Sequence, residues 1–294
     1  MISKSLKNYL ACFRAVRLVL HLLYGALLAT IYPHLSRGLQ KSIMRQWSID
    51  LLNVLNVRIS VSGDISLHDI KQGLIVANHI SWLDVYVMSS ILPMRFVAKS
   101  EVRNWPFIGW LCSRAQTIFI ERNKKSDTVR TNLQMVEHLR QGNAMAIFPE
   151  GTTSNGTQVR HFHASLLQPA IDAQTPIYPV GIHYHDKHNK PNFDAAYIDD
   201  MSFMQSLWKI LSSRDLHVRL TTAHELSTEV ENRRLLALEA HRRIAHALSI
   251  ELPPVVEEPK PSPQHSSEDD QQHFQSSYSL LLYPAINHEP HEIQ

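Results

Sequence analysis

The chain has 294 residues, 44% of them apolar, and a net charge of +2, enough for one large or two ordinary domains with a sizeable core. Its mean hydropathy of −0.19 excludes a polytopic membrane protein, which needs several apolar runs of about 20 residues. Two cysteines, Cys12 and Cys112, exclude a disulfide framework and any C-x-x-C zinc or redox motif.

The N-terminal region holds one apolar run, 18–32, interrupted by His21 and Gly25, with Arg14 and Arg17 before it and Arg37 and Lys41 after it. Such a run makes about 22 Å of helix against a hydrocarbon core of about 30 Å. Its basic ends and the lack of a small-x-small site after Tyr32 argue against a signal peptide. The expectation is a retained helix lying on the membrane. A second helix is predicted over 39–56, where Ile43, Trp47, Leu51 and Val54 share a stripe. With Pro33 between them the two helices can form a membrane-associated hairpin, residues 1–57, which their Trp and Arg content favours over an ordinary pair of helices packed on a core.

A second unit, 58–252, reads as an α/β domain with a largely parallel sheet flanked by helices. Strands are predicted at 74–77, 95–98, 117–120, 144–148, 177–182 and 216–221. Between the third and fourth lies a helix capped by Ser126, striped by Val129, Leu133 and Val136, and followed by Gly142. A last helix is expected from the capping-box pair Thr228 and Glu231 toward Leu248. The tail, 253–294, has seven of the fifteen prolines and reads as disordered. It carries one base and seven acids, a charge of −6, which leaves +8 on residues 1–252. A basic body suits a phospholipid surface, an acidic carrier protein or nucleic acid, and charge alone does not choose among them.

The first chemical signal is Asn78-His79-Ile80-Ser81-Trp82-Leu83-Asp84. A histidine directly after a strand sits at the carboxyl edge of the sheet, where α/β folds hold ligands. An Asp one turn into the next helix accepts from Nδ1–H and leaves Nε2 free to take a proton. In the bland alternative Ser81 and Asp84 form a capping box and His79 fills a turn. The second signal is Phe148-Pro149-Glu150-Gly151-Thr152-Thr153-Ser154-Asn155-Gly156. There Gly151 permits close backbone approach, Glu150 can orient a substrate hydroxyl and Thr152 can donate to phosphate, although a plain surface turn has the same composition. Lys99 and Arg122 each follow a predicted strand. If the strands are parallel, both stand at the edge of His79 and Glu150, and an arginine there offers bidentate phosphate contacts.

With these residues in place the sequence resembles the glycerolipid acyltransferases of the lysophosphatidic acid acyltransferase family. His79 to Asp84 matches its H-x4-D motif, preceded by Asn78. Phe119-Ile120-Glu121-Arg122, Phe148-Pro149-Glu150-Gly151-Thr152 and Ile177-Tyr178-Pro179-Val180 resemble its later blocks, and Trp105-Pro106-Phe107-Ile108-Gly109-Trp110 a segment before the second. The resemblance implies acyl transfer from acyl-CoA or acyl carrier protein to a lysophospholipid hydroxyl, most simply 1-acylglycerol-3-phosphate. His79 would be the general base, Asp84 its orienting partner, and no acyl-enzyme would form. Arg122 with the Glu150-Gly151-Thr152 turn would bind the acceptor, helped by Asn78 and Lys99. No cofactor, metal or nucleic acid is implied, and the expected place is the cytoplasmic face of the inner membrane, monotopic or single-pass. One departure concerns the segment after the third block, which reads His161-Phe162-His163-Ala164-Ser165 where the family has a basic F-K-K-G-like stretch. It keeps another lysolipid, such as a lyso-ornithine lipid, open as acceptor.

Two rival readings use other features. His161-x-His163 and His183-x-His185, with Asp186 and His188 nearby, would put imidazole pairs on strand faces and make a metal-dependent hydrolase. Eighteen histidines make such pairs common by chance. A non-catalytic lipid-binding module would keep the basic patch and the helices but has no use for His79 with Asp84.

Overall fold

The protein is described from a computed structural model covering residues 4–104, 108–121, 125–229 and 232–251. The predicted tail, 253–294, lies outside the described residues, as do Trp105, Pro106, Phe107 and Arg122.

Helix α1 spans Lys4–Ile31 and α2 spans Arg37–Leu55. The Ser36 hydroxyl caps α2 and Asn56 closes it in the left-handed region at φ 59°. At 28 residues, α1 is about 42 Å long. The expectation of a short apolar helix is therefore corrected: the helix runs back through both arginines, and the domain supplies acceptors for Arg14 within it. Arg14 donates to the Leu211 carbonyl at 2.9 Å, which offsets the cost of holding a cation among apolar residues. His21 stacks on Trp47 at 4.6 Å. One side of α1, with Ala11, Leu18, His21 and Ala29, is buried, while Phe13, Val16, Leu20, Leu23 and Leu27 are exposed. By length and composition, Asn8–His34 is the one candidate membrane span among the described residues.

The strands are β1 Val57–Gly63, β2 Gly73–Ala77, β3 Arg95–Lys99, β4 Ile118–Ile120, β5 Ala144–Ile147, β6 Ile177–His185 and β7 Leu216–Thr222. They form one sheet in the order β1-β7-β6-β2-β5-β3-β4. β6, β2, β5, β3 and β4 run parallel, while β7 is antiparallel to β6 and parallel to β1. The six strands expected from sequence are all present. β1 was not expected; it is an edge strand alternating Val57, Ile59 and Val61 with Arg58, Ser60 and Ser62, a weak signal beside the continuous apolar run of a central strand.

Helices α3 (Asp84–Ile91), α4 (Ser100–Arg103), α5 (Ile108–Arg114), α6 (Lys125–Arg140), α7 (Gln168–Asp172), α8 (Phe203–Ser212) and α9 (Arg233–Ala247) complete the domain. The last begins later than Thr228 because the Asn232 side chain accepts from the backbone N–H groups of Arg234 and Leu235 and caps it. Two apolar clusters fill the layers. One gathers Leu52, Leu55, Leu83, Val87 and Phe148 with α1, α2 and α8. The other gathers Leu74, Val76, Met135, Ile147 and Ile244 under α6 and α9.

The hairpin closes through Gly25, where an added Cβ would stand 2.6 Å from the Trp47 indole nitrogen. A glycine costs a helix interior about 1 kcal/mol relative to alanine, and this contact explains its presence. Replacing Gly25 with Val should therefore destabilise the protein by about 1–3 kcal/mol through overpacking, read as a lower thermal midpoint in detergent. An unchanged midpoint would show that the hairpin does not need the contact.

Candidate active site

β2 ends at Ala77, and the next residue does a strand's work with its side chain. Asn78 is fully buried; its Nδ2 donates to the Ile182 carbonyl at 3.0 Å, and Ile182 N–H donates back to its Oδ1 at 2.7 Å. The ladder to β6 is thus continued while the main chain turns away. This side chain is committed to β6.

The turn that follows is organised by Asp84, which starts α3 and is fully buried. Its Oδ2 accepts from His79 Nδ1 at 2.8 Å, from Ile80 N–H at 2.7 Å and from Ser81 N–H at 3.0 Å. Its Oδ1 accepts from the Tyr184 hydroxyl at 2.8 Å. The two sequence readings of Asp84, backbone cap and histidine partner, are both realised. Asp84 does so from the first residue of the helix rather than from one turn in, and Ser81 Oγ accepts instead from Leu83 N–H at 3.3 Å.

His79 has a 20% exposed side chain and lies on the Phe148 ring at 4.0 Å with 10° between planes. Nδ1 faces Asp84, so Nε2 is the nitrogen left for chemistry. The neighbouring backbone is pinned from both sides: Ser154 N–H donates to the His79 carbonyl at 2.8 Å, and Tyr197 N–H donates to the Ile80 carbonyl at 3.0 Å.

Glu150 follows β5, which runs parallel to β2, and so reaches the same edge. It does not point into the open cleft. It is 4% exposed, and Oε1 accepts from His79 N–H at 3.1 Å. Burial pushes its carboxyl up to about 8, against the opposing hydrogen bond from the His79 backbone. Its Oε2 is buried without a hydrogen-bond partner, which suits a neutral carboxylic acid better than an anion. In this arrangement Glu150 braces the histidine from behind. Gly151, at φ 75°, uses its lack of Cβ to turn the chain, and Thr152 is exposed in the turn. Lys99 is exposed at the end of β3, in register with Ile120 of β4, so parallel strands carry it to the His79 edge. Arg122 lies outside the described residues.

Tyr184 escaped the sequence reading. Only its place, seven residues beyond the start of β6 and on the face opposite His183, brings it under Asp84, and no local pattern reveals that. Burial, with the Asp84 carboxylate beside it, holds its phenol proton well above the ordinary range, so it remains a donor.

The paired histidines do not assemble as the metal reading expected. His161 and His163 lie in a loop rather than a strand, edge-on at 6.2 Å. His183 and His185 do share a face of β6, stacked at 5.8 Å. Among the described residues no group of three or more His, Cys, Asp or Glu is arranged to hold a metal ion.

The profile of the family described as Acyltransferase matches residues 58–183, the stretch that contains His79, Asp84 and Glu150. A lyso-ornithine lipid O-acyltransferase of Pseudomonas aeruginosa is 33% identical over 210 residues, 71% of this chain and 80% of that protein. A 1-acyl-sn-glycerol-3-phosphate acyltransferase of Neisseria meningitidis is 37% identical over 147 residues, 50% of this chain and 57% of that protein. The fold matches the crystal structure of the 1-acyl-sn-glycerophosphate acyltransferase PlsC from Thermotoga maritima with a TM-score of 0.56, at 19% identity, covering 80% of this chain and 96% of that one.

The raised Glu150 carboxyl has a consequence for stability. An unfolded glutamate loses its proton near pH 4.3, whereas the folded one holds it to about pH 8. Between these values the unfolded state binds fewer protons, so the group lowers stability as pH rises, by up to about 1.4 kcal/mol per pH unit. Glu150→Gln should retain the bond from His79 N–H and remove that loss, gaining stability over wild type steadily from pH 5 to pH 8 in thermal melts. Parallel pH curves for the two proteins would refute the neutral-acid assignment.

Proposed function

Because the chain belongs to the acyltransferase family, we propose that it transfers a fatty acyl group from a thioester donor, acyl-CoA or acyl carrier protein, to the hydroxyl of a lysolipid. The observation that carries this reading is the 2.8 Å contact between His79 Nδ1 and Asp84 Oδ2 at an exposed sheet edge. An alcohol is a weak nucleophile until its proton leaves, and a positioned base contributes about 10²- to 10⁴-fold. His79 Nε2 takes the acceptor's hydroxyl proton as the oxygen attacks the thioester carbonyl. Asp84 holds the ring and stabilises the imidazolium, and the proton passes to the departing thiolate. Tyr184 shares the charge on Asp84, and Glu150 fixes the main chain under the ring.

The acyl chain has a place to go. An apolar cavity of about 110 Å³, lined by Leu28, Trp47, Tyr86, Met94 and Phe96 among others, lies between the hairpin and the sheet. Its wall residue Phe96 stacks on Phe148 at 6.1 Å, and Phe148 carries His79, so a chain in the cavity would end near the base. Arg122, Lys99, Gly151 and Thr152 would meet the acceptor's polar end at the strand exits. The exposed apolar side of α1 would lie in the leaflet that supplies the acceptor, at the cytoplasmic face of the inner membrane. The buried roles of Arg14 and His21 against the domain favour this over a span.

Two acceptors stand out. Lysophosphatidate fits the resemblance of the motifs. A lyso-ornithine lipid is favoured by the longer Pseudomonas match and by the His161-Phe162-His163 segment, whose two histidines are exposed where lysines were expected. Supplying the full-length protein in membranes with labelled acyl-CoA or acyl carrier protein and a panel of lysolipids, then identifying products by mass, tests the reading. The expected product is one diacylated lipid, and hydrolysis without transfer would overturn it.

His79→Ala should lower turnover by at least about 10²-fold while the thermal midpoint stays near wild type. Tyr184→Phe leaves Asp84 with one donor fewer, so the protonated ring is held more tightly and the acid limb of the rate profile should move to higher pH. Wild-type turnover in His79→Ala would remove the base assignment.

A further inference from the structure

At the opposite edge of the sheet from His79, where β3 and β5 begin, Arg37, Lys41, Arg95 and His138 line one small polar cavity of about 50 Å³ together with Gln116 and Asn143. These groups, three cations and a neutral imidazole, come from three separate elements. Arg37 and Lys41 lie in the first turns of α2, Arg95 opens β3, and His138 belongs to the last turn of α6. No carboxylate is among the residues that line the cavity. Among the described residues no ion pair is formed by Arg37, Lys41 or Arg95. Arg37 donates to the neutral Gln141 at 3.3 Å. The nearby Glu137 accepts from Gln141 at 2.6 Å.

Bringing like charges together at a partly buried site is unfavourable without a counter-charge, and side chains of this length have alternative rotamers that would separate them. Their geometry also suits an oxyanion. A guanidinium is always a donor, so the 3.1 Å contact between an Arg95 terminal nitrogen and His138 Nδ1 makes Nδ1 the acceptor and leaves the ring's N–H on Nε2. Arginine and lysine then supply fork and point-charge donors of the kind that bind phosphate.

We propose that Arg37, Lys41, Arg95 and His138 form a second anion site, separate from the acyl-transfer centre, that takes a phosphate group from a membrane phospholipid headgroup or from free phosphate. This does not depend on the acceptor assigned above, because the site stands at the far edge of the sheet. It opens beside the apolar cavity, sharing Tyr32, Met44, Met94, Arg95 and Ala115 with it, and it lies under the turn between α1 and α2. A headgroup can therefore reach it while its chains stay with the hairpin. Burial first, then Arg95 and Arg37, with Glu137 opposing, push His138 down to about 4. An anion among these groups would favour the protonated ring.

The test uses full-length protein in nonionic detergent at constant ionic strength, titrated with sodium phosphate against chloride, and separately with monomeric dihexanoyl phosphatidic acid. The expected result is a saturable rise in thermal midpoint together with a shift of the His138 ring resonance. The double variant Arg37→Gln, Lys41→Gln changes two exposed side chains and should weaken the apparent affinity at least tenfold. Arg122→Ala and His79→Ala should not. Saturation by inorganic phosphate identifies a free-anion site, and saturation by the lipid alone identifies a headgroup site. A His138 resonance that responds to neither titrant, or an affinity unchanged in the Arg37, Lys41 double variant, would overturn the proposal.

Discussion

A carboxylate taken out of water must be met by donors on both oxygens, and the chain after β2 is built around that requirement. Asp84 receives a ring nitrogen, two backbone N–H groups and a phenol. The two N–H groups define the turn, the phenol ties it to β6, and the ring nitrogen fixes His79. Other contacts then follow. With the turn set, Ser154 and Tyr197 can close on the carbonyls of His79 and Ile80. Thr153 Oγ1 bonds the Tyr197 carbonyl, and Trp82 reaches Ser206 in α8 at 3.1 Å. Removing the carboxylate would leave several buried donors unpaired at about 1–3 kcal/mol each, so its role in the fold and its role at the site cannot be separated by deletion alone.

The two carboxyl groups around His79 have different surroundings. Asp84 is surrounded by donors. Glu150 has one bonded oxygen and one buried, unpartnered oxygen, and its proton is retained to about pH 8. A neutral acid behind the ring supports the His79 main chain without placing a negative charge there. The stacked rings of Phe148 and Phe96 extend this support toward the apolar cavity under the hairpin, which links the sheet edge at His79 to the N-terminal helices.

Much of this was legible in the sequence because it rests on local patterns. The central strands are continuous apolar runs, His79 and Asp84 are five residues apart, and parallel strands carry the residues that follow them to one edge. What was not legible depends on distant parts of the chain. The bridge from Asn78 to Ile182 joins residues 104 apart in the chain. Glu150 was read as able to orient a substrate hydroxyl, but its burial is set by how the loop packs back on His79. Tyr184 became visible only with the β2–β6 register. The length of α1 was hidden by Arg14, which reads as a break until the carbonyls at the end of α8 are seen to receive it. The late start of α9 depends on which of several capping residues the loop delivers.

The central claim is that Asp84 holds His79 with its proton on Nδ1, leaving Nε2 as the base. The tautomer can be read directly by nitrogen NMR of protein labelled in its histidine rings, with the His79 signals assigned by their loss in a His79→Gln protein. The account predicts that neutral His79 carries its proton on Nδ1, with that proton far downfield and protected from exchange by the Asp84 contact. A neutral ring protonated on Nε2 would contradict it, because the nitrogen facing the substrate would then have no lone pair to offer.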